Sequence, residues 1–166
     1  KAVLLAKDRN VPALADVARE VTPLPEVRLW LYPNRFATPP GALTDVNYFW
    51  VYPRRFSPGG MEVDEVDVTR GAGTGKGTLR IEDTRAGART MAVVTLPCPV
   101  LPGETVTLRI QFTVRIPERF GLFGCADDTC TLAGGWYPQP AFLDERGFDG
   151  AAPPARADTR VHVESP

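Results

Sequence analysis

The residues with the most obvious chemical potential are the glycines of Gly71-Ala72-Gly73-Thr74-Gly75-Lys76-Gly77-Thr78. A phosphate-cradling loop needs a glycine five residues before a Gly-Lys pair, a Ser or Thr directly after the lysine, and a helix N-terminus facing the anion. Arg70 and Gly77 stand at those two positions, and the segment leads into a β-prone run. The dinucleotide fingerprint fails as well, because its third glycine falls on Lys76. The segment therefore reads as a hairpin loop.

Nucleophile and metal chemistry is limited by inventory. The single histidine, His162, lies between Val161 and Val163, so neither a His-Glu-x-x-His pair nor a three-histidine zinc site can be built from this chain. The serines are Ser57 and Ser165, and neither stands in a Gly-x-Ser-x-Gly elbow. Asp127-Asp128 and Asp144-Glu145 lack the repeated Asp-x-Asp spacing that wraps a calcium ion and read as surface turns. Cys125 and Cys130 enclose four residues. Two thiols alone make a poor metal site, and the spacing is open to either a small disulfide loop or two free thiols. Cys98, between prolines, reads as a small buried apolar residue. Tyr48, Trp50 and Tyr52, if on one strand, share a face and offer either a sugar-stacking platform or part of a core.

The elements that must position these residues are strands. Seventeen prolines and 15 glycines are spread along the 166 residues, which disfavours long helices. One short helix is expected in Val11–Val21, with Pro12 at its first position. Strands are expected at Val27–Tyr32, Asn47–Tyr52, Met61–Val68, Thr78–Glu82, Thr90–Leu96, Thr105–Ile116 and Thr159–Val163. The phase slip at Asp64-Glu65 has the form of a bulge. In Thr105–Ile116 one face holds Val106, Leu108, Ile110, Phe112, Val114 and Ile116 and the other is polar. The expected fold is an all-β sandwich or saddle-like pair of antiparallel sheets, with residues 1–26 as an N-terminal extension and 27–166 as the β-domain.

Composition is that of a globular chain: 43% hydrophobic, 23% charged, net charge −1. Nothing steers it to nucleic acid or an anionic membrane surface. No stretch is long and apolar enough to span a bilayer, and Lys1–Ala6 is too short for a signal-peptide core. The chain does not begin with Met and reads as an excised or processed piece.

Three stretches, taken in order, resemble a known family. They are Leu29-Trp30-Leu31-Tyr32-Pro33-Asn34; Leu101-Pro102-Gly103-Glu104-Thr105-Val106-Thr107-Leu108 with Ile116-Pro117 and Phe120-Gly121; and Gly135-Trp136-Tyr137-Pro138 followed by Arg160–Pro166. This order is similar to the N-terminal saddle-shaped β-domain of the aminopeptidase N type of gluzincin metallopeptidase, in particular divergent bacterial members. The resemblance implies a non-catalytic domain that packs on a catalytic domain of the same polypeptide and walls its substrate cleft. Zinc and the catalytic base would belong to that other domain, with no cofactor here. The family's substrate-amine ligand is a Gln or Glu from the region comparable to Asp127–Leu132. No such residue occurs there, and Asp128 is the nearest candidate for substrate binding. A Cys125–Cys130 bridge would favour an extracytoplasmic location. The isolated domain is expected to expose an apolar patch and to self-associate. The competing expectation is an extracellular β-sandwich module that binds glycans or proteins.

Overall fold

The structure, a computed structural model, describes residues 23–44, 47–85, 87–144 and 147–148. The expected helix at Val11–Val21, the strand at Thr159–Val163 and His162 lie outside these residues.

The fold is all-β, as the strand patterns predict. Strands run β1 Leu24–Trp30, β2 Gly60–Arg70, β3 Gly73–Lys76, β4 Thr78–Thr84, β5 Gly87–Val100, β6 Thr107–Arg115, β7 Phe123–Ala126, β8 Thr129–Leu132, β9 Gln139–Pro140, β10 Leu143–Asp144 and β11 Gly147–Phe148. One sheet has the order β4-β5-β1-β9 and another β3-β2-β6, with β7-β8 and β10-β11 as two-stranded ribbons. All named strand pairs are antiparallel.

The two larger sheets share one core. Val27, Leu29 and Leu31 from β1 and its end, and Ala92, Val94 and Leu96 from β5, meet Met61, Val66 and Val68 of β2 and Val106, Leu108 and Phe112 of β6. Strand side chains alternate between faces, so the same strands hold a second set outward. Trp30, Met91 and Val93 form that set, and Ala141, with Tyr32 and Phe148 packed against it, covers them. β5 is thus apolar on both faces over Met91–Val94, which explains the uncharged Met91–Leu96 run, while the outer face of β1 joins Trp30 to the ion-paired Glu26 and Arg28. The indole N–H of Trp30 is buried with no partner among the described residues.

The expected bulge is present. Val63 pairs with Phe112 and Glu65 with Gln111, leaving Asp64 as the extra residue. That single insertion lets Met61 and Val63 on one side of it, and Val66 and Val68 on the other, all reach the core.

The glycine-rich segment is mostly strand and not the loop its composition suggests. The turn is confined to Gly71-Ala72, with Gly71 at φ +56°, and Gly73–Lys76 pairs with Arg70–Asp67. The chain then leaves one sheet for the other through the single residue Gly77, whose N–H donates to the Val66 carbonyl at 2.9 Å. A Cβ at Gly77 would stand 2.6 Å from Val94 Cγ1 and 3.3 Å from Val68 Cγ2, so only glycine lets the sheets close at this corner.

Three other expectations are corrected. Asn47–Tyr52 is not a strand: Tyr48–Trp50 is a 3₁₀ turn. The Asn47 side chain closes the preceding turn, accepting from the Thr44 N–H at 2.7 Å and donating to the Ala42 carbonyl at 3.1 Å. Local side-chain bonding of this kind outcompetes strand pairing. The first strand ends at Trp30 instead of Tyr32, because Pro33 starts a 3₁₀ turn over Tyr32–Phe36, and it begins at Leu24, inside the segment read as an extension. Cys98 is exposed, not buried: it lies past the end of β4 and in the irregular stretch of the β1 pairing, between Thr95, opposite Glu26, and Val100, opposite Leu24.

The turn Tyr32–Phe36 is riveted to both sheets by Asn34, which is almost fully buried. Its Nδ2 donates to the Arg89 carbonyl and its Oδ1 accepts from the Met61 N–H, both at 2.6 Å. This bond pair joins the start of β5 to the start of β2 and fixes the ridge on which Arg35 and Phe36 sit.

Candidate functional site

A cleft of about 800 Å³ lies beside the Tyr32–Phe36 turn. The Tyr32–Phe36 turn forms one wall, Arg119–Phe123 the facing wall, and Ala133–Pro140 the floor. Each wall is positioned by bonds that can be traced to sequence. Phe36 stacks on Phe123, ring centroids 5.4 Å apart. Tyr32 stacks on the buried Trp30 at 5.2 Å. The floor turns through Gly134 and Gly135, at φ +74° and +93°. A Cβ at Gly135 would lie 2.7 Å from Gln139 Oε1 and 2.8 Å from Tyr32 Cδ2. Gln139 in turn donates to the Tyr137 hydroxyl at 3.3 Å.

The facing wall depends on the β7–β8 hairpin. Cys125 and Cys130 are directly opposed and joined by a disulfide. Of the two readings left open by the spacing, the bridged one holds. The turn residues Asp127 and Asp128 both have positive φ, 50° and 63°, the geometry of a type I′ hairpin turn, which aspartate tolerates. The residues flanking such a turn exchange hydrogen bonds, so the next pair, Cys125–Cys130, is the non-bonded pair whose side chains approach most closely. The outward backbone groups of Cys125 bind elsewhere. Its N–H donates to the Pro117 carbonyl at 2.9 Å, and its carbonyl accepts from the Arg119 N–H at 3.0 Å. Gly124 makes that approach possible: a Cβ there would lie 2.5 Å from both Arg119 Cγ and Arg119 O. The Glu118 N–H donates to Ser57 Oγ at 2.9 Å, and Glu118 pairs with Arg54 at 3.5 Å.

The result is a held guanidinium. Arg119 lies 4.6 Å from the Phe36 ring centroid and 6.0 Å from that of Tyr52. Arg35 lies 5.6 Å from the same Phe36 ring. The Nε of Arg119 is buried with no hydrogen-bond partner among the described residues. Burial pushes the Tyr52 phenol above its ordinary pKa, with the Arg119 charge acting in the opposite direction.

Around the cleft lie most of the large apolar side chains exposed to solvent. Trp50 is 73% exposed, Leu122 72% and Phe49 59%, with Phe120 and Leu132 less so. Backbone bonds bring their segments together: the Phe120 N–H donates to the Val51 carbonyl at 2.9 Å, and the Ala133 N–H to the Leu122 carbonyl at 2.7 Å.

The sequence-derived candidates fall as follows. Asp128 is exposed at the hairpin tip and is not one of the residues lining the cleft. Tyr48, Trp50 and Tyr52 do not share a face: Tyr52 is buried, Trp50 is exposed, and Tyr48 packs on Tyr52 at 5.2 Å as a turn neighbour. No group of three or more His, Cys, Asp or Glu that could hold a metal ion occurs among the described residues, and no helix of theirs is long and apolar enough to cross a membrane. Arg35, Phe36 and Arg119 were not legible as a site, because they meet only through the fold. Comparison with family models, with curated proteins and with solved structures finds no match to this chain.

Proposed function

We propose that this chain is a non-catalytic β-domain that packs on a catalytic domain of the same polypeptide, of the zinc metallopeptidase type that its sequence resembles, and helps wall the substrate cleft of that domain. The observation that carries this reading is the apolar rim of Phe49, Trp50, Phe120, Leu122 and Leu132. Single exposed apolar residues are ordinary, but a group carried on segments that backbone bonds join side by side marks a surface that another surface covers. The work of such a domain is positioning and water exclusion. The Cys125–Cys130 bridge supports an extracytoplasmic setting.

Two measurements test the reading. Reading the gene past the codon for Pro166 should reveal a His-Glu-x-x-His with a Glu about twenty residues later; a frame that ends without one removes the peptidase partner. The isolated chain should self-associate in sedimentation velocity, and the combined Phe49→Ser, Trp50→Ser and Leu122→Ser variant should be monomeric with its thermal midpoint little changed. A wild-type chain that stays monomeric at high concentration speaks against a covered rim. The adjacent exposed rings of Phe49 and Trp50, 5.5 Å apart, favour one second reading, an extracellular binding module; saturable glycan binding lost in Trp50→Ala would select it.

A further inference from the structure

The cleft has an uneven charge. Arg35 and Arg119 both line it, and no aspartate or glutamate does. Neither arginine makes an ion pair with any described residue. Their guanidinium groups lie near one ring, that of Phe36, at 5.6 and 4.6 Å. Ring contact orients a guanidinium and leaves its in-plane donors available. Arg119 already bears a desolvation cost at its buried, unpartnered Nε, and an anion at the terminal nitrogens is the natural compensation. The remaining large side chains of the walls, Tyr32, Leu122, Phe123 and Tyr137, are apolar or aromatic, and the one uncharged polar side chain, Gln139, bonds to Tyr137. A volume of about 800 Å³ lies within the range of small-ligand sites.

We propose that this cleft binds a carboxylate carried on an apolar body, with the anionic group held by Arg35 and Arg119 and the body resting on Tyr32, Leu122 and Tyr137. Arginine's planar fork matches a carboxylate in two-point contact, and charge-assisted bonds of this kind are roughly twice as strong as neutral ones. Two sources present that chemistry: a free aryl or alkyl carboxylic acid, and the C-terminal carboxylate of a peptide ending in an apolar residue. The site is independent of the identity of any partner domain, since all of its residues belong to this chain.

The test is a calorimetric or NMR titration of the full chain with three probes: 3-phenylpropionate, its neutral amide, and N-acetyl-Gly-Phe with a free C-terminus. The acids should saturate, with the amide weaker by about tenfold or more, and Arg35→Gln should weaken acid binding by about tenfold while leaving the amide unchanged. Arg119→Gln should do the same. If that half-buried substitution lowers the folded fraction, the exposed Arg35 variant decides the matter alone. Tighter binding of N-acetyl-Gly-Phe than of phenylpropionate assigns the peptide source, and the reverse order the small acid. Equal affinity for acid and amide, unaltered acid binding in Arg35→Gln, or no saturation of the wild-type chain by either acid overturns the proposal.

Discussion

Gly77 is where the glycine-rich motif can be tested as a structural device. In Gly77→Ala the new methyl carbon would stand 2.6 Å from Val94 Cγ1 and 3.3 Å from Val68 Cγ2. Val94 is fully buried in the middle of β5, paired with Val27 on one side and Leu79 on the other. It has no room to give by the most of an ångström required. Overpacking of this kind costs about 1–3 kcal/mol, and the rigidity of the neighbours places this case near the upper end, about 2–3 kcal/mol. For a domain of this size that is a fall of roughly 5–10 °C in the thermal midpoint. Two neighbours serve as references. Gly71→Ala meets nothing within 4 Å but must adopt φ +56°, which costs about 1 kcal/mol. Gly73→Ala has ordinary backbone geometry and meets only the Arg70 carbonyl at 3.6 Å, an ordinary contact, and should change stability by less than about 0.5 kcal/mol. Urea unfolding of the three variants with a common slope gives the order directly. A Gly77→Ala loss no larger than that of Gly73→Ala would refute the argument that this glycine lets the sheets close.

Asn34→Ala removes the bond pair between the starts of β2 and β5 and leaves the buried Met61 N–H without its acceptor; the expected loss is about 2–3 kcal/mol in a urea midpoint, and a change under about 1 kcal/mol would mean that water replaces the side chain. Glu104 predicts a pH effect. The Leu101 N–H donates to its carboxylate at 2.7 Å and Arg70 adds a charged bond, which together hold its pKa below the ordinary carboxylate value. A depressed folded pKa contributes stability that is complete above the unfolded value of about 4.3 and is lost as pH falls through the folded value. The advantage of wild type over Glu104→Gln should therefore hold at neutral pH and shrink below about pH 5; a difference that stays constant into acid would contradict the pairing.

The strands were legible where one physical signal dominated. The period-two run expected at Thr105–Ile116, observed as Thr107–Arg115, and the slip at Asp64-Glu65 both survive, because register against a buried core enforces the pattern. Asn47–Tyr52 misled because β-prone aromatics say nothing about an asparagine side chain three residues from a threonine N–H. Cys98 misled because a thiol between prolines looks apolar, while it falls where the β1–β5 register slips and β4 has already ended. The cleft was illegible for a different reason. Arg35 and Arg119 are far apart in sequence and converge on Phe36 only because Gly124 admits the Arg119 backbone against the hairpin.

The position of β1 has a consequence for how the chain is made. It is the earliest described strand in the sequence, yet it lies inside its sheet, with Trp30 facing Met91 of β5 on one side and Gln139 of β9 on the other. At roughly 5–20 residues per second, translation leaves β1 without its last neighbour for on the order of ten seconds. Throughout that interval a strand with Val27 and Leu29 on one face and Trp30 on the other waits in an incomplete sheet. Nascent chains that end before Gln139 therefore present an open β1 edge, and ribosome-associated chaperones should hold such chains until the β9 segment emerges.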